Sequence, residues 1–343
     1  MLRLMHRYFL LAMCVLMLVV IAVFLVINWH MDTPMQVGED ELVFTVPSGS
    51  SLTLLSRSLA EKGLLKWPDV LVVWSRMTGQ SRIKAGEYKL RRDDTPRDLL
   101  DMLTAGRVVQ HQITFPEGLR FAEWLHLLKQ QPRLEKLLTD LSGDEVIETL
   151  SLEIEHPEGW FFPDTYSYSY GDSDRDILSQ AHQRMQAVLA EEWQQRVPEL
   201  PFNSPYEALI LASIVEKETG VTSERGEIAG VFVRRLKRGM KLQTDPTIIY
   251  GLGDEYQGYI KRQHLRKATP YNTYIIAGLP PTPIAMPGRG AIHAVLNPEE
   301  GDSLFFVAKG DGSHYFSASY EEHLEAVRQF QLQRRSDYRS TPR

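Results

Sequence analysis

The amino-acid sequence predicts an α+β protein carried behind a single N-terminal transmembrane helix. Three features of the chain predict it. Residues 8–29 (YFLLAMCVLMLVVIAVFLVINW) hold no charge and are long enough to cross a bilayer. Residues 42–109 then run in the order strand, helix, helix, strand, helix. Further on, residues 204–220 (SPYEALILASIVEKETG) read as an apolar helix with its own start and stop, inside a longer region of mixed α/β pattern.

The N-terminal run is flanked asymmetrically. Arg3 and Arg7 precede it, and Asp32, Glu39, Asp40 and Glu41 follow it. Positive charge stays inside, so residues 1–7 are expected in the cytoplasm and everything after the helix is expected outside it. A cleaved signal peptide has a 7–15-residue apolar stretch and a small-x-small cleavage site. This run is longer and lacks such a site, so an uncleaved anchor over residues 8–29 is expected. Residues 30–41 are polar and read as a linker.

The rest of the composition is ordinary. With 343 residues the chain has room for two or three domains, and a formal charge of −6 carries no nucleic-acid footprint. Cys14 is the only cysteine, which rules out a disulfide framework and a thiolate zinc site.

The elements follow from periodicity and punctuation. Residues 42–46 alternate as a strand and 47–50 turn. Leu52, Leu55 and Leu59 space a helix that ends at Gly63. Residues 70–77 form a second helix closed by Gly79, and residues 83–90 a strand with a turn. Thr95 caps a helix over 96–104, stopped by Gly106. Beyond it come a strand at 109–115, helices at 121–130 and 133–141, and an aromatic-rich loop at 159–170. A helix follows at 176–196. Ser204, Pro205 and Glu207 make the N-cap, first turn and capping box of the apolar helix, and Gly220 its C-terminal stop.

A helix at 224–238 gathers Arg234, Arg235, Lys237 and Arg238 in its last turn, a solvated face with one cation within reach of Glu216 or Glu218. Asp245 and Pro246 read as the N-cap and first residue of a short helix. Residues 268–288 are rich in Pro, Gly, Asn and Thr, which gives rigid, non-repetitive backbone. A short helix at 291–296, a hairpin from 303–308 and 313–317, and a helix at 320–334 complete the chain. The tail after Arg335 is expected to be disordered.

Chemistry concentrates in the apolar helix. At about 100° per residue, Glu218 falls between Leu211 and Ile214, and Glu216 near Leu209 and Ala212. A carboxylate set in apolar surroundings either has a partner or holds its proton near neutral pH, as a general acid must. Helical geometry alone does not choose between the two. H-E-x-x-H, G-x-S-x-G, Walker A and G-x-G-x-x-G signatures are absent, and the ten histidines do not cluster at metal-ligand spacing. No metal or cofactor is expected. His314, on the hairpin, is expected to be structural. Carboxylate chemistry in an exported, anchored chain points to glycans.

Two resemblances refine this. The segments VPSGSSLTLLSRSLAEKGLL and AGEYKLRRDDTPRDLLDML, within residues 42–110, loosely resemble a LysM-like module, a type that binds N-acetylglucosamine-containing glycans elsewhere. A small packing domain without glycan affinity is the alternative. The segments EGWFFPDTY (158–166), ASIVEKET (212–219), LQTDPTIIY (242–250), TPYNTYIIAGLPPTPIAMPG (269–288), AIHAVLNP (291–298) and FFVAKGDGSHYFS (305–317) resemble the YceG-like family of endolytic murein transglycosylases. This likeness covers nearly the whole chain.

The resemblance implies a mixed α/β catalytic domain of the YceG-like type over residues 111–343, exposed to the periplasm from a single-pass inner-membrane anchor. It implies cleavage of the MurNAc-β-1,4-GlcNAc bond in nascent peptidoglycan strands, leaving 1,6-anhydro-MurNAc ends and ending strand growth. The family's catalytic glutamate, the second of E-K-E, falls on Glu218. Gln243, Asp245, Tyr271, Asn272 and Thr273 are candidates for orienting the sugar or Glu218, from their place in the motifs. Expected partners are peptidoglycan strands, the inner membrane and penicillin-binding proteins of the synthesis machinery, with no nucleic acid. A non-catalytic peptidoglycan-binding scaffold for cell-wall synthases is the competing function. An aminodeoxychorismate lyase is not expected, because that chemistry needs pyridoxal phosphate in the cytoplasm.

Overall fold

The computed structural model describes residues 2–38 and 40–332. The tail after Arg335, the last residues of the final predicted helix and Glu39 of the predicted linker lie outside the described residues. The protein is a mixed α/β chain with one N-terminal apolar helix, and its strands pair into separate two-stranded ribbons rather than one sheet. Two compact units form: Met1–His111 with Ser167–Asp172, and Gln112–Tyr166 with Ser173–Arg343.

The first unit opens with helix α1 (Leu2–Met31). Its segment Met5–Met31 is long and apolar enough to cross a membrane. Strand β1 (Glu41–Val46) pairs antiparallel with β2 (Gly86–Arg91), placing Phe44 opposite Tyr88. Helices α2 (Leu52–Glu61), α3 (Pro68–Thr78) and α4 (Pro96–Ala105) supply the leucines of the core. Ser51 caps α2, and Thr95 with Asp98 makes a reciprocal capping box on α4. Met31, Met35 and Val37, from the segment expected to link anchor and module, are buried in this same core.

Strand β3 (Gln110–Thr114) pairs with β4 (Thr165–Ser169), which lies within the segment read as an aromatic loop. In the second unit, α5 (Phe121–Lys129) stacks Trp124 on Phe115. The helix expected at 133–141 does not form; the next helix is α6 (Gly143–Leu150). The cause is Asp174, the first residue of α7 (Asp174–Gln194). Its buried carboxylate accepts backbone N–H bonds from Leu137, Leu138 and Thr139. In a helix over 133–141 these amides would bond to the carbonyls of residues 133–135, and the Asp174 carboxylate holds them instead.

Helix α8 (Pro205–Glu218) is the centre of the second unit. It packs against α7, α9 (Arg225–Lys237) and α11 (Arg289–Leu296), with Leu209, Leu211, Ile214 and Val215 wholly buried. Ser204 caps it, but Glu207 does not close a capping box: its carboxylate takes the Asn203 backbone N–H instead. Gly220 is not the left-handed stop, because Thr219 ends the helix in an extended conformation. Ser213, a polar residue of this helix, is fully buried. Its hydroxyl donates to the Ile210 carbonyl and accepts the Ile284 N–H, stapling the Pro-rich segment to the helix. Gly159, at φ +85°, lets its backbone pass Pro283 where a Cβ would come within 2.5 Å.

Short helix α10 (Asp245–Leu252) begins one residue earlier than expected. Thr244 occupies the cap position, while the Asp245 carboxylate accepts from the Tyr274 hydroxyl. The hairpin forms from β5 (Phe305–Ala308) and β6 (His314–Ser317), followed by α12 (Tyr320–Val327).

Replacing Asp174 with Ala strands three backbone donors. The folded state should lose about 3 kcal/mol, read as a lower denaturant midpoint at unchanged slope. An unchanged midpoint contradicts the role given to this carboxylate.

Candidate active site

Glu218 is the last residue of α8, at the negative end of the helix dipole. The Thr244 hydroxyl donates to its Oε1. The residue keeps a partly exposed flank while its carboxyl is buried, and burial pushes its pKa up to about 7. Thr244 and the more distant Arg235 pull it down, and Asp245 raises it further. The net result is an acid that is half protonated near neutral pH.

Glu218 lines an open groove of about 670 Å³, together with Arg235, Gln243, Thr244, Asp245 and Tyr274. Aromatic rings line it too, with Phe305, Phe306, Tyr320 and His323. Burial lowers the pKa of His323, and its ring stacks on Phe305 at 5.2 Å. His314 also reaches the groove, but its Nδ1 is paired with Glu224 at 2.8 Å.

Glu216, two residues before Glu218, faces elsewhere. It pairs with Arg225 at 3.1 Å and accepts the Gly288 N–H at 3.1 Å. Arg225 also binds the exposed Glu117 at 3.1 Å, so Glu216 is the buried member of an ion-pair cluster that stitches chain segments together. Burial raises its pKa while Arg225 opposes the rise.

The five candidate sugar-orienting residues divide by position. Gln243 and Asp245 line the groove. Gln243 sits at φ +51°, a costly conformation for a side chain with a Cβ, and its N–H donates to the Thr273 carbonyl. Thr273 is fully buried behind the groove. Its hydroxyl accepts the Thr244 N–H at 3.1 Å and meets Thr247 at 2.8 Å, holding the backbone that carries Thr244. Asn272 is buried too, and its amide donates to the carbonyls of His264, Leu265 and Lys267. Tyr271 is bonded to Thr282 at 2.8 Å and packed on Tyr250 at 4.9 Å. Asn272 and Thr273 thus shape the loops, and Gln243 and Asp245 face the groove.

Several groove residues carried no clear sequence signal. Thr244 lay between two candidates, but spacing cannot say that its hydroxyl meets Glu218. Arg235 was read as part of a solvated basic face. It is 7% exposed, donates to the carbonyls of Leu242, Lys241 and Leu304, and lies over the Phe305 ring. Glu158 is a second buried acid, also pushed up to about 7 by burial. It accepts from the Phe121 N–H and the Tyr250 hydroxyl, and it is not among the groove-lining residues. Among the described residues no group of three or more His, Cys, Asp or Glu could hold a metal ion.

Comparison with known proteins adds a family. A family model described as the YceG-like family matches residues 44–329. Over 302 residues the chain is 29% identical to a Bacillus subtilis protein named endolytic murein transglycosylase, covering 83% of each. A Streptococcus pneumoniae protein of the same name is 29% identical over 312 residues, which are 81% of this chain and 56% of that one. A crystal structure of a yceG-like protein from Listeria monocytogenes matches with a TM-score of 0.53 at 28% identity, covering 84% of this chain and 99% of the other.

The raised pKa of Glu218 has a stability signature. Below about pH 4.5 the group is protonated in both folded and unfolded chains and costs nothing. Between about pH 4.5 and 7 the unfolded chain ionises while the folded chain stays protonated, so the fold loses stability across that window and the loss is constant above it. Glu218→Gln should therefore match the parent at pH 4 and exceed it by about 2–3 kcal/mol at pH 8, by denaturant melts. Equal stability at both pH values contradicts the raised pKa.

Proposed function

The chain belongs to the YceG-like family, and we propose that it is an endolytic murein transglycosylase acting on peptidoglycan strands with Glu218 as its acid and base. The observation that carries this is one near-neutral carboxyl, Glu218, on the wall of an open groove, while its neighbour Glu216 is tied to Arg225. The names of the Bacillus and Streptococcus relatives support the substrate class.

The mechanism follows from the protonation state. Protonated Glu218 donates to the glycosidic oxygen between MurNAc and GlcNAc as that bond breaks. The resulting carboxylate then takes the proton from the muramyl 6-hydroxyl, which attacks C1 and closes the 1,6-anhydro ring. The substrate's 2-acetamido group assists at C1. No water enters, so no second carboxylate is needed, unlike a hydrolase. Gln243 and Asp245 orient the sugar, the Thr244 hydroxyl aims Glu218, and Asn272, Thr273 and Tyr271 hold the loops that carry them.

The setting follows the same reading. Residues 8–29 anchor the chain, with residues 1–7 in the cytoplasm and the catalytic region, residues 111–343, in the periplasm. Residues 42–110 act as a LysM-like module that binds the glycan strand. Synthases that extend the strand, penicillin-binding proteins among them, are the expected neighbours.

Asp245 favours one other reading. It is a second carboxylate at the groove, so inverting or retaining hydrolysis is the alternative. Product analysis separates the two. The full-length protein in detergent, given peptidoglycan strands in ¹⁸O water, should release unlabelled anhydro-muropeptides, and Glu218→Gln should lower that rate by about 10²–10⁴-fold. Labelled reducing ends favour the hydrolase; an active Glu218→Gln removes the assignment. Because the first step needs Glu218 protonated, kcat/KM should fall about tenfold per pH unit above 7. A flat profile to pH 9 contradicts the acid role.

A further inference from the structure

The anchor helix does not end where the first unit begins. Its last two turns pack into that unit. Ile27 and Met31 join the core, and His30 lies on the Trp67 ring at 4.5 Å. Arg97 of α4 donates to Asn28 at 3.0 Å and to Asp32 at 2.7 Å. One contact reaches deeper. Phe24 meets the Trp74 ring of α3 at 6.4 Å, and Arg97 covers that same indole at 4.6 Å.

Helix geometry turns this into a depth. At about 1.5 Å per residue, residues 8–27 span about 30 Å, the thickness of a hydrocarbon core. The polar groups Asn28, His30 and Asp32 follow at once. Phe24 then lies about 5 Å inside the hydrocarbon edge. Trp74, resting on it, sits at the boundary where indole rings are favoured.

The face that α3 leaves open fits that position. At about 100° per residue, Val73, Met77, Val70, Trp74 and Trp67 follow one another round the helix. Leu71, Ser75 and Val72 continue the arc into the core, and the polar residues Asp69 and Arg76 fall on the remaining side. Within the apolar arc, Val73 is 45% exposed, Met77 64% and Trp67 44%. The exposed apolar part thus adjoins Trp74, the residue that touches the anchor. A helix of this pattern beside a membrane span is an interfacial helix.

We propose that α3 lies in the membrane interface, with the stripe Val70–Val73–Met77 against lipid beside α1. The first unit is then held on the bilayer surface by two contacts, a span and an interfacial helix. The lipid acyl boundary is the occupant, and the continuity from Phe24 to Trp74 to this stripe is what selects it. The proposal rests on the reading of α1 as a membrane span.

The test uses the full-length chain in a Cys14→Ser background, in phosphatidylcholine–phosphatidylglycerol vesicles. Single cysteines replace Val73, Met77, Arg76 and Leu16, each labelled with an environment-sensitive fluorophore. Leu16 reports the span, and Arg76 reports the polar side of α3. Lipids brominated near the headgroup should quench the Val73→Cys and Met77→Cys labels about threefold more than the Arg76→Cys label, lipids brominated deep in the acyl chain should quench the Leu16→Cys label, and aqueous iodide favours Arg76→Cys. Lipid quenching at Leu16→Cys with none at Val73→Cys and Met77→Cys overturns the interfacial placement and leaves the anchor. Loss of lipid quenching at Leu16→Cys as well overturns the anchor and the proposal with it. Cross-linking of Met77→Cys between copies, in place of lipid quenching, assigns the stripe to a second chain and overturns the proposal.

Discussion

The site depends on one buried carboxyl that is given a single hydroxyl partner. Glu218 sits at the end of a helix packed into the core of its unit, where the carbonyl end of the helix and the loss of water both disfavour its charge. One donated bond from Thr244 offsets part of that cost. A salt bridge would have offset more, and would have fixed the group as an anion. Glu216 shows that outcome two residues away: Arg225 and the Gly288 N–H hold it, and it becomes part of the scaffold. The same helix thus makes one carboxylate held by a cation and one that keeps its proton near neutral pH, from the partners it gives each.

Much of the surrounding structure serves to keep Thr244 in place. Its N–H is taken by Thr273, its carbonyl by Thr247, and the residue before it is pinned at a left-handed φ by a bond to the Thr273 carbonyl. Asn272 fixes the loop that presents Thr273 through three backbone carbonyls. Ser213 and Gly159 then lock the Pro-rich segment against the core helix. The proposed reaction needs such a stiff support, because an acid displaced by an ångström would lose its reach to the leaving oxygen.

Local signals were largely legible in the sequence, and long-range partners were not. Thr95 and Gly106 mark their helix ends because caps are local chemistry. The apolar run of α8 and the hairpin strands follow from periodicity. The segment 133–141 has helical periodicity, yet a carboxylate from the far side of the sequence, Asp174, captures its amides. Arg235 looks solvated in the sequence and is buried, because its partners are carbonyls of distant segments. Glu218 was nameable only through resemblance, since helical spacing treats Glu216 and Glu218 alike. What separates them is Arg225 and Thr244, which no spacing rule brings together.

The central claim is that Glu218 keeps its proton near neutral pH. Carbon-13 NMR of glutamate-labelled full-length protein, with Glu218 assigned by its loss in Glu218→Gln, measures this directly. The account predicts a midpoint near 7 for that carboxyl, moving higher in Thr244→Val, where the hydroxyl that favours the anion is gone. A midpoint at the ordinary glutamate value near 4.5, unmoved by Thr244→Val, would contradict it.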